Sequence, residues 1–94
     1  MVESVSRFEL EAGVEAGGVL LDTRPHPKTV FGLTPRHLSL DAVQRGDLPE
    51  LEPNTPVYLV CERGQVSELA GLYLEAAGFE HIFQLAGGTR AWPD

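Results

Sequence analysis

The apolar positions fall into short runs divided by polar or glycine-rich turns. Val19-Leu20-Leu21 runs into Asp22, and Val57-Tyr58-Leu59-Val60 follows Pro56. Both runs are too short for a helix and predict buried strands, the second a central parallel strand covered on both faces. Ile82-Phe83-Gln84-Leu85 predicts another strand, and the alternation His37-Leu38-Ser39-Leu40 predicts a shorter one. Ser6-Arg7-Phe8-Glu9 matches a capping box and predicts a helix over 7–15, closed by Gly17-Gly18. Asp41-Ala42-Val43-Gln44 matches a second box and predicts a short helix that stops near Gly46. Residues 61–66 read as a loop, and Ser67 to Ala77 as a helix. Glu68 and Glu75 mark the solvent side of that helix, and Leu69, Ala70, Tyr73, Ala76 and Ala77 its buried side, with Gly78 at the C′ position. Gly87-Gly88 makes a turn, and Thr89 opens a last short helix carrying Trp92. The stretch 25–36, with three prolines and Gly32, is irregular.

Strands alternating with helices predict an α/β domain with a mainly parallel sheet. Ligands of such sheets sit outside the carboxyl ends of the strands, and Cys61 stands at one such end. The length of 94 residues fits one domain spanning 1–94. Seven Lys and Arg against fourteen Asp and Glu give a net charge of −7. No basic cluster interrupts that excess, which argues against nucleic acid and against an anionic membrane surface. No apolar stretch approaches the roughly 18 residues of a membrane span. The N-terminal Met1-Val2-Glu3-Ser4 lacks the basic start of a signal peptide. A single cysteine excludes an internal disulfide and a cysteine-based zinc site, and fits a reducing compartment. His26, His37 and His81 show no metal-ligand spacing on one helix. The expectation is a cytoplasmic monomer.

The segment Cys61-Glu62-Arg63-Gly64-Gln65-Val66-Ser67 joins a buried strand to a helix. A loop this short turns backbone N–H groups inward, and with the positive end of the helix dipole they form an anion cradle. A cysteine in that cradle has its thiolate, the nucleophilic form, stabilised. Gly64 supplies the backbone freedom for the curl, and Arg63 adds a charge at the rim. The plain reading of Cys61 is a small apolar residue at a strand end. The flanking pattern favours the reactive one.

Residues 57–92 resemble the C-terminal half of a rhodanese-like domain. The shared features are Cys61, Gly64 and Ser67 after an apolar strand, then Ala77-Gly78-Phe79, then Leu85-Ala86-Gly87-Gly88 and Trp92. Upstream, Leu20-Leu21-Asp22-Thr23-Arg24 is similar to the Asp-x-Arg that follows the family's first long strand, and Leu48-Pro49-Glu50-Leu51 to text between its halves. The family's middle motif is eroded to Gly32-Leu33-Thr34-Pro35-Arg36-His37. The chain stops at Asp94, soon after Trp92, so the last helix is expected to be short.

The resemblance implies a three-layer domain with a central, mainly parallel sheet flanked by helices. It implies sulfur transfer that needs no metal or organic cofactor: Cys61 takes the outer sulfur of a donor such as thiosulfate as a persulfide. The loop from Glu62 to Ser67 (Arg63, Gly64, Gln65 and Val66 between them) binds that donor, and a small or protein thiol accepts the sulfur. Arg24 is expected to pair with a carboxylate more than to bind the donor. Lys28 is a candidate charge near it, Asp22 an organiser of the strand end, Ser67 a helix cap and Trp92 a packing residue. Glu62 beside the cysteine is expected to raise the thiol's pKa and weaken dianion binding, which disfavours thiosulfate. Two other readings stand beside this one. A cysteine phosphatase or arsenate reductase needs an arginine six positions after the cysteine to clamp three oxygens, where this chain has Ser67. A non-catalytic interaction module on the same fold fits the eroded middle motif and Glu62.

Overall fold

The elements run β1 (Val2–Val5), α1 (Arg7–Glu15), β2 (Val19–Asp22), β3 (Arg36–His37), α2 (Leu40–Gln44), β4 (Val57–Val60), α3 (Gln65–Ala76) and β5 (Ile82–Leu85), ending in a 3₁₀ turn at Thr89–Ala91. They come from a computed structural model that describes residues 1–92. The strands form one five-stranded sheet in the order β1-β5-β4-β2-β3, with every pairing parallel. This is the expected α/β architecture with a parallel central sheet.

Alternation along the strands divides the core between the two sheet faces. Leu21, Leu59 and Ile82 meet Val43 of α2 and Ala70 and Leu74 of α3 on one face. Leu20, Tyr58, Val60 and Leu85 meet Leu10 of α1 on the other. All four residues of β4 are buried, as its apolar run predicts. The first helix is fixed by both bonds of its box: Glu9 N–H donates to Ser6 Oγ at 3.2 Å, and Ser6 N–H to Glu9 Oε1 at 2.9 Å.

The structure departs from the sequence reading at both ends of the sheet and along α2 and α3. The N-terminal Val-Glu-Ser-Val forms an edge strand against β5, which the sequence reading leaves out. The strand expected at residues 37–40 is confined to Arg36–His37, because Ser39 instead caps α2 through the Ala42 N–H. Asp41 is therefore inside the helix, where it pairs with Arg45 at 2.8 Å.

The third helix starts at Gln65, two residues before the expected Ser67, because left-handed Gly64 (φ 89°) closes the loop early. Its buried face also differs. The face turned to the sheet is Ser67, Ala70, Gly71 and Leu74, whereas Leu69 and Tyr73 are 41 % and 39 % exposed and Ala76 and Ala77 face solvent. Close approach selects this face: a Cβ on Gly71 would lie 2.7 Å from Val2 Cγ2. Small residues let α3 lie close on the sheet, and the larger apolar ones turn outward.

The phase of α3 has a direct test. Leu74→Ala should cost about 2–5 kcal/mol in chemical denaturation. Leu69→Ala should stay within about 0.5 kcal/mol of the parent. Equal losses would place Leu69 in the core.

Candidate active site

β4 delivers Cys61 to the carboxyl edge of the sheet, where it is only 3 % exposed. The chain then needs just three residues to reach Gly64, the N-cap of α3. That curl aims the start of the helix back at the sulfur. Gly64 N–H donates to Cys61 Sγ at 2.9 Å and Ser67 N–H at 3.4 Å. The Cys61 thiol in turn donates to Ser67 Oγ at 3.3 Å. Ser67 is thus not the cap that the sequence suggests. It lies within the first turn, fully buried, with its hydroxyl on the sulfur.

These contacts act on the thiol in opposite directions. Burial, the largest single influence, pushes its pKa up. The Ser67 hydroxyl and the N–H groups of Ser67, Gly64 and Arg63 pull it down, and together they win, so the thiol lies below its ordinary value. Ionisation of Cys61 therefore favours the folded state. That contribution is full above the unfolded pKa and is lost as pH falls through the folded one.

The cysteine opens into a cleft of about 490 Å³. Arg24, Lys28, Glu62, Arg63, Gln65 and Val66 line it together with Cys61, and sequence reasoning singled out each of them. Thr23, Pro25 and His26 line it as well, and nothing in the sequence assigns them to this site. Their signal is position alone, in the loop that leaves the carboxyl end of β2 beside β4. Gly64, Ser67 and Asp22 stand behind the wall as supports.

Asp22 is fully buried, and its carboxylate organises the loop that follows it. It accepts from Arg24 N–H at 2.9 Å, from Arg24 Nη2 at 2.6 Å and from Lys28 N–H at 3.3 Å. Arg24 Nη2 also donates to the Lys28 carbonyl at 3.2 Å. Hydrogen bonding to Asp22 raises the guanidinium's pKa further, against the opposing effect of burial. Arg24 is thereby a fixed cation with its charge largely committed to Asp22. Three of the seven Lys and Arg in the chain, Arg24, Lys28 and Arg63, line this one cleft of an otherwise acidic protein. The carboxylate of Glu62 is two-thirds exposed at the rim, 3.9 Å from Arg90 Nη1.

The Gly87-Gly88 turn supports the loop from the other side. Thr89 N–H donates to the Cys61 carbonyl at 2.8 Å and Arg90 N–H to the Glu62 carbonyl at 2.9 Å. Gly88 adopts φ 75° and ψ −178°, a region open essentially to glycine. A Cβ there would lie 2.4 Å from the Glu62 oxygen. The turn is anchored where Trp92 Nε1 donates to the Ala86 carbonyl at 2.7 Å, with its ring edge-on to Phe8. Trp92 is thus a packing residue, standing just past the short 3₁₀ turn; Asp94, at which the chain stops, lies outside the described residues.

Two predictions follow from this geometry. The alkylation rate of Cys61 by iodoacetamide should rise with pH, with a midpoint below that of free cysteine, and Ser67→Ala should move that midpoint up. A midpoint at or above the free value would mean that burial outweighs the donors. Gly88→Ala should displace the loop and lower the alkylation rate at least tenfold at neutral pH, because a strained backbone of about 1–3 kcal/mol is added where the loop is held. An unchanged rate would show that the Gly87-Gly88 turn does not support the loop.

Comparison with known proteins places this arrangement. The family model for the rhodanese-like domain matches residues 6–94. Thiosulfate sulfurtransferase GlpE of Pseudomonas fluorescens is 30 % identical over 79 residues, which cover 83 % of this chain and 72 % of that protein. The crystal structure of a rhodanese homolog from Thermus thermophilus superposes with a TM-score of 0.78 at 37 % identity, covering 95 % of this chain and 99 % of the other. The human single domain sulfurtransferase shares the fold, with a TM-score of 0.75 at 17 % identity over 95 % of this chain and 93 % of its own. With a family match across nearly the whole chain and a parallel sheet that carries Cys61 into a loop of inward N–H groups, the chain belongs to the rhodanese-like domain family.

Proposed function

We propose that the protein is a sulfurtransferase that carries a sulfane sulfur on Cys61. The observation that carries this reading is the ring of donors around one buried sulfur at the foot of a cleft lined by cations. The Cys61 thiolate attacks the outer sulfur of a donor such as thiosulfate. The bond between the two donor sulfurs breaks, its electron pair leaves with sulfite, and a Cys61 persulfide anion remains. A thiophilic acceptor then attacks the terminal sulfur and the Cys61 thiolate is released. With cyanide the product is thiocyanate, and with a small or protein thiol it is a new persulfide. Two-electron displacement accounts for both steps, and the two half-reactions imply ping-pong kinetics.

The chain's own residues supply the environment for each step. Gly64 and Ser67 hold the attacking sulfur. Gln65 and Val66 begin α3, so their N–H groups have no carbonyl partner within the helix, and both residues line the cleft. These N–H groups and that of Arg63 are suited to the terminal sulfur of the persulfide. Lys28, Arg63 and the Asp22-held Arg24 raise the local concentration of an anionic donor. Glu62 opposes them from the rim. Its exposure and its pairing with Arg90 limit that opposition, so thiosulfate is a usable donor and not an excluded one. No helix among the described residues is long and apolar enough to cross a membrane. A free Cys61 fits the cytoplasmic setting expected from the sequence, and the small fold a monomer.

The arginine clamp that a cysteine phosphatase places six residues after its nucleophile is here Ser67, whose hydroxyl contacts the sulfur. That contact favours sulfur chemistry over phosphate.

Steady-state kinetics with thiosulfate and cyanide test the reading. Double-reciprocal plots should be parallel, and Cys61→Ala should abolish turnover while the far-ultraviolet dichroism stays the same. Turnover persisting in Cys61→Ala would remove Cys61 from the chemistry. Glu62→Arg should raise kcat/KM for thiosulfate about two- to tenfold, since it replaces an exposed repulsion with an exposed attraction. An unchanged value would show that the rim charge does not reach the donor.

A further inference from the structure

The strand β5 carries a polar residue where its neighbours are apolar. Gln84 is 9 % exposed, paired in register with Ser4 of β1 and Leu59 of β4. Its side chain turns to the α3 face and joins two groups that the sheet would otherwise leave apart. Ser67 Oγ donates to Gln84 Oε1 at 3.0 Å, and Gln84 Nε2 donates to Ser4 Oγ at 3.3 Å. With the contact between Cys61 and Ser67 at 3.3 Å, the four side chains form one unbroken hydrogen-bonded line from the sulfur to the edge strand. No buried side-chain nitrogen or oxygen among the described residues lacks a partner. A buried amide survives in a core only when such partners are supplied.

We propose that Gln84 is a positioning residue that holds the Ser67 hydroxyl against the Cys61 sulfur and keeps that contact satisfied in both protonation states of the thiol. This role rests on the reading of Cys61 as the sulfur carrier and adds the residue that tunes it. The Ser67 hydroxyl has one proton and three acceptors in reach: the sulfur, Gln84 Oε1 and the Gly64 carbonyl at 3.3 Å. While Cys61 is a thiol, its S–H donates to Ser67, and Ser67 donates to Gln84. Once Cys61 is a thiolate it accepts only, so the Ser67 proton must turn to the sulfur. Gln84 Oε1 would then face a lone pair. A half-turn of the amide removes that conflict, because Nε2 then donates to Ser67 Oγ and Oε1 accepts from the Ser4 hydroxyl. Glutamine suits the task because it carries a donor and an acceptor of nearly equal size. A carboxylate or a thioether serves one direction at most.

Losing the amide should harm the thiolate more than the thiol. In the thiol state the Ser67 proton can turn to the Gly64 carbonyl. In the thiolate state nothing else donates to Ser67 Oγ. The charged and titratable groups beside Cys61 are Arg24, His26 and Lys28 from the loop after β2, Glu62 and Arg63 from its own loop, and Arg90 at the rim through Glu62. None of them is hydrogen-bonded to Ser67 or Gln84. Ser4 is exposed, so water can replace its hydroxyl and Ser4→Ala should change little.

The test is the pH profile of Cys61 alkylation by iodoacetamide in the full chain, measured as a double-mutant cycle. Gln84→Met keeps the side-chain length and removes both polar atoms. It should move the midpoint upward and slow alkylation below the midpoint about threefold, the size expected for one neutral hydrogen bond. In a Ser67→Ala background the same substitution should have no further effect. Gln84→Asn, one methylene too short to join Ser67 to Ser4, carries the same expectation should the methionine variant fail to fold. An unmoved midpoint in both variants would overturn the proposal. So would an equal shift with and without Ser67, which would mean that Gln84 acts on the fold at large. Alkylation reports on the thiol whether or not it carries sulfur. Failure of the sulfurtransferase reading would therefore appear in the kinetics with thiosulfate and leave this cycle readable.

Discussion

The structure depends on one buried sulfur facing the start of one helix. A cysteine at 3 % exposure would ordinarily resist ionisation. The donors that reverse this tendency come from Gly64 and Ser67, and they reach the sulfur only because the chain turns within three residues. The tight turn requires a left-handed Gly64, and the turn stays closed because Thr89 and Arg90, just past Gly87-Gly88, donate their N–H groups to the carbonyls of Cys61 and Glu62. The parallel sheet supplies the setting. β4 is covered on both faces and ends one residue before Cys61, with β5 on one side and β2 on the other. The loop that leaves β2 and the one that leaves β4 build the walls of the cleft, and the turn that leaves β5 braces the second of them.

Charge is arranged against the average of the molecule. The chain carries a net −7, yet its cleft is edged by Arg24, Lys28 and Arg63. Asp22 makes this possible from below. A fully buried carboxylate is costly unless paired, and this one is satisfied by a guanidinium and two backbone N–H groups of the wall it organises. Its role is to fix the wall's shape, and the remaining cations face the cleft. The same economy of buried polar groups recurs on the other side of the sulfur, where Ser67 and Gln84 satisfy each other.

Most of the architecture is legible in the sequence because its signals are local. A covered strand shows as an unbroken apolar run, a helix start as a capping box, a helix end as glycine at C′. The loop at Cys61 is legible for the same reason: its residues are contiguous and lie between a strand and a helix. What escapes is what depends on distant packing. The edge strand Val2–Val5 becomes a strand only through β5, eighty residues on in register. The inner face of α3 is set by how closely Gly71 can approach Val2, and hydrophobicity alone points to Leu69 and Tyr73 instead. Ser67 reads as a cap because serine favours helix starts, and only the early closure at Gly64 carries it inward to the sulfur. Gln84 reads as one polar position in a strand, and its partner on α3 is seventeen residues away.

Intact-mass spectrometry of the purified protein after thiosulfate, with and without cyanide, tests the central claim most directly. The account predicts a gain of one sulfur on Cys61, removed by cyanide and absent from Cys61→Ala. A protein that gains no sulfur from thiosulfate, mercaptopyruvate or a small persulfide, while its Cys61 still alkylates as a thiolate, would contradict it. The cradle would then be intact and the transfer chemistry absent.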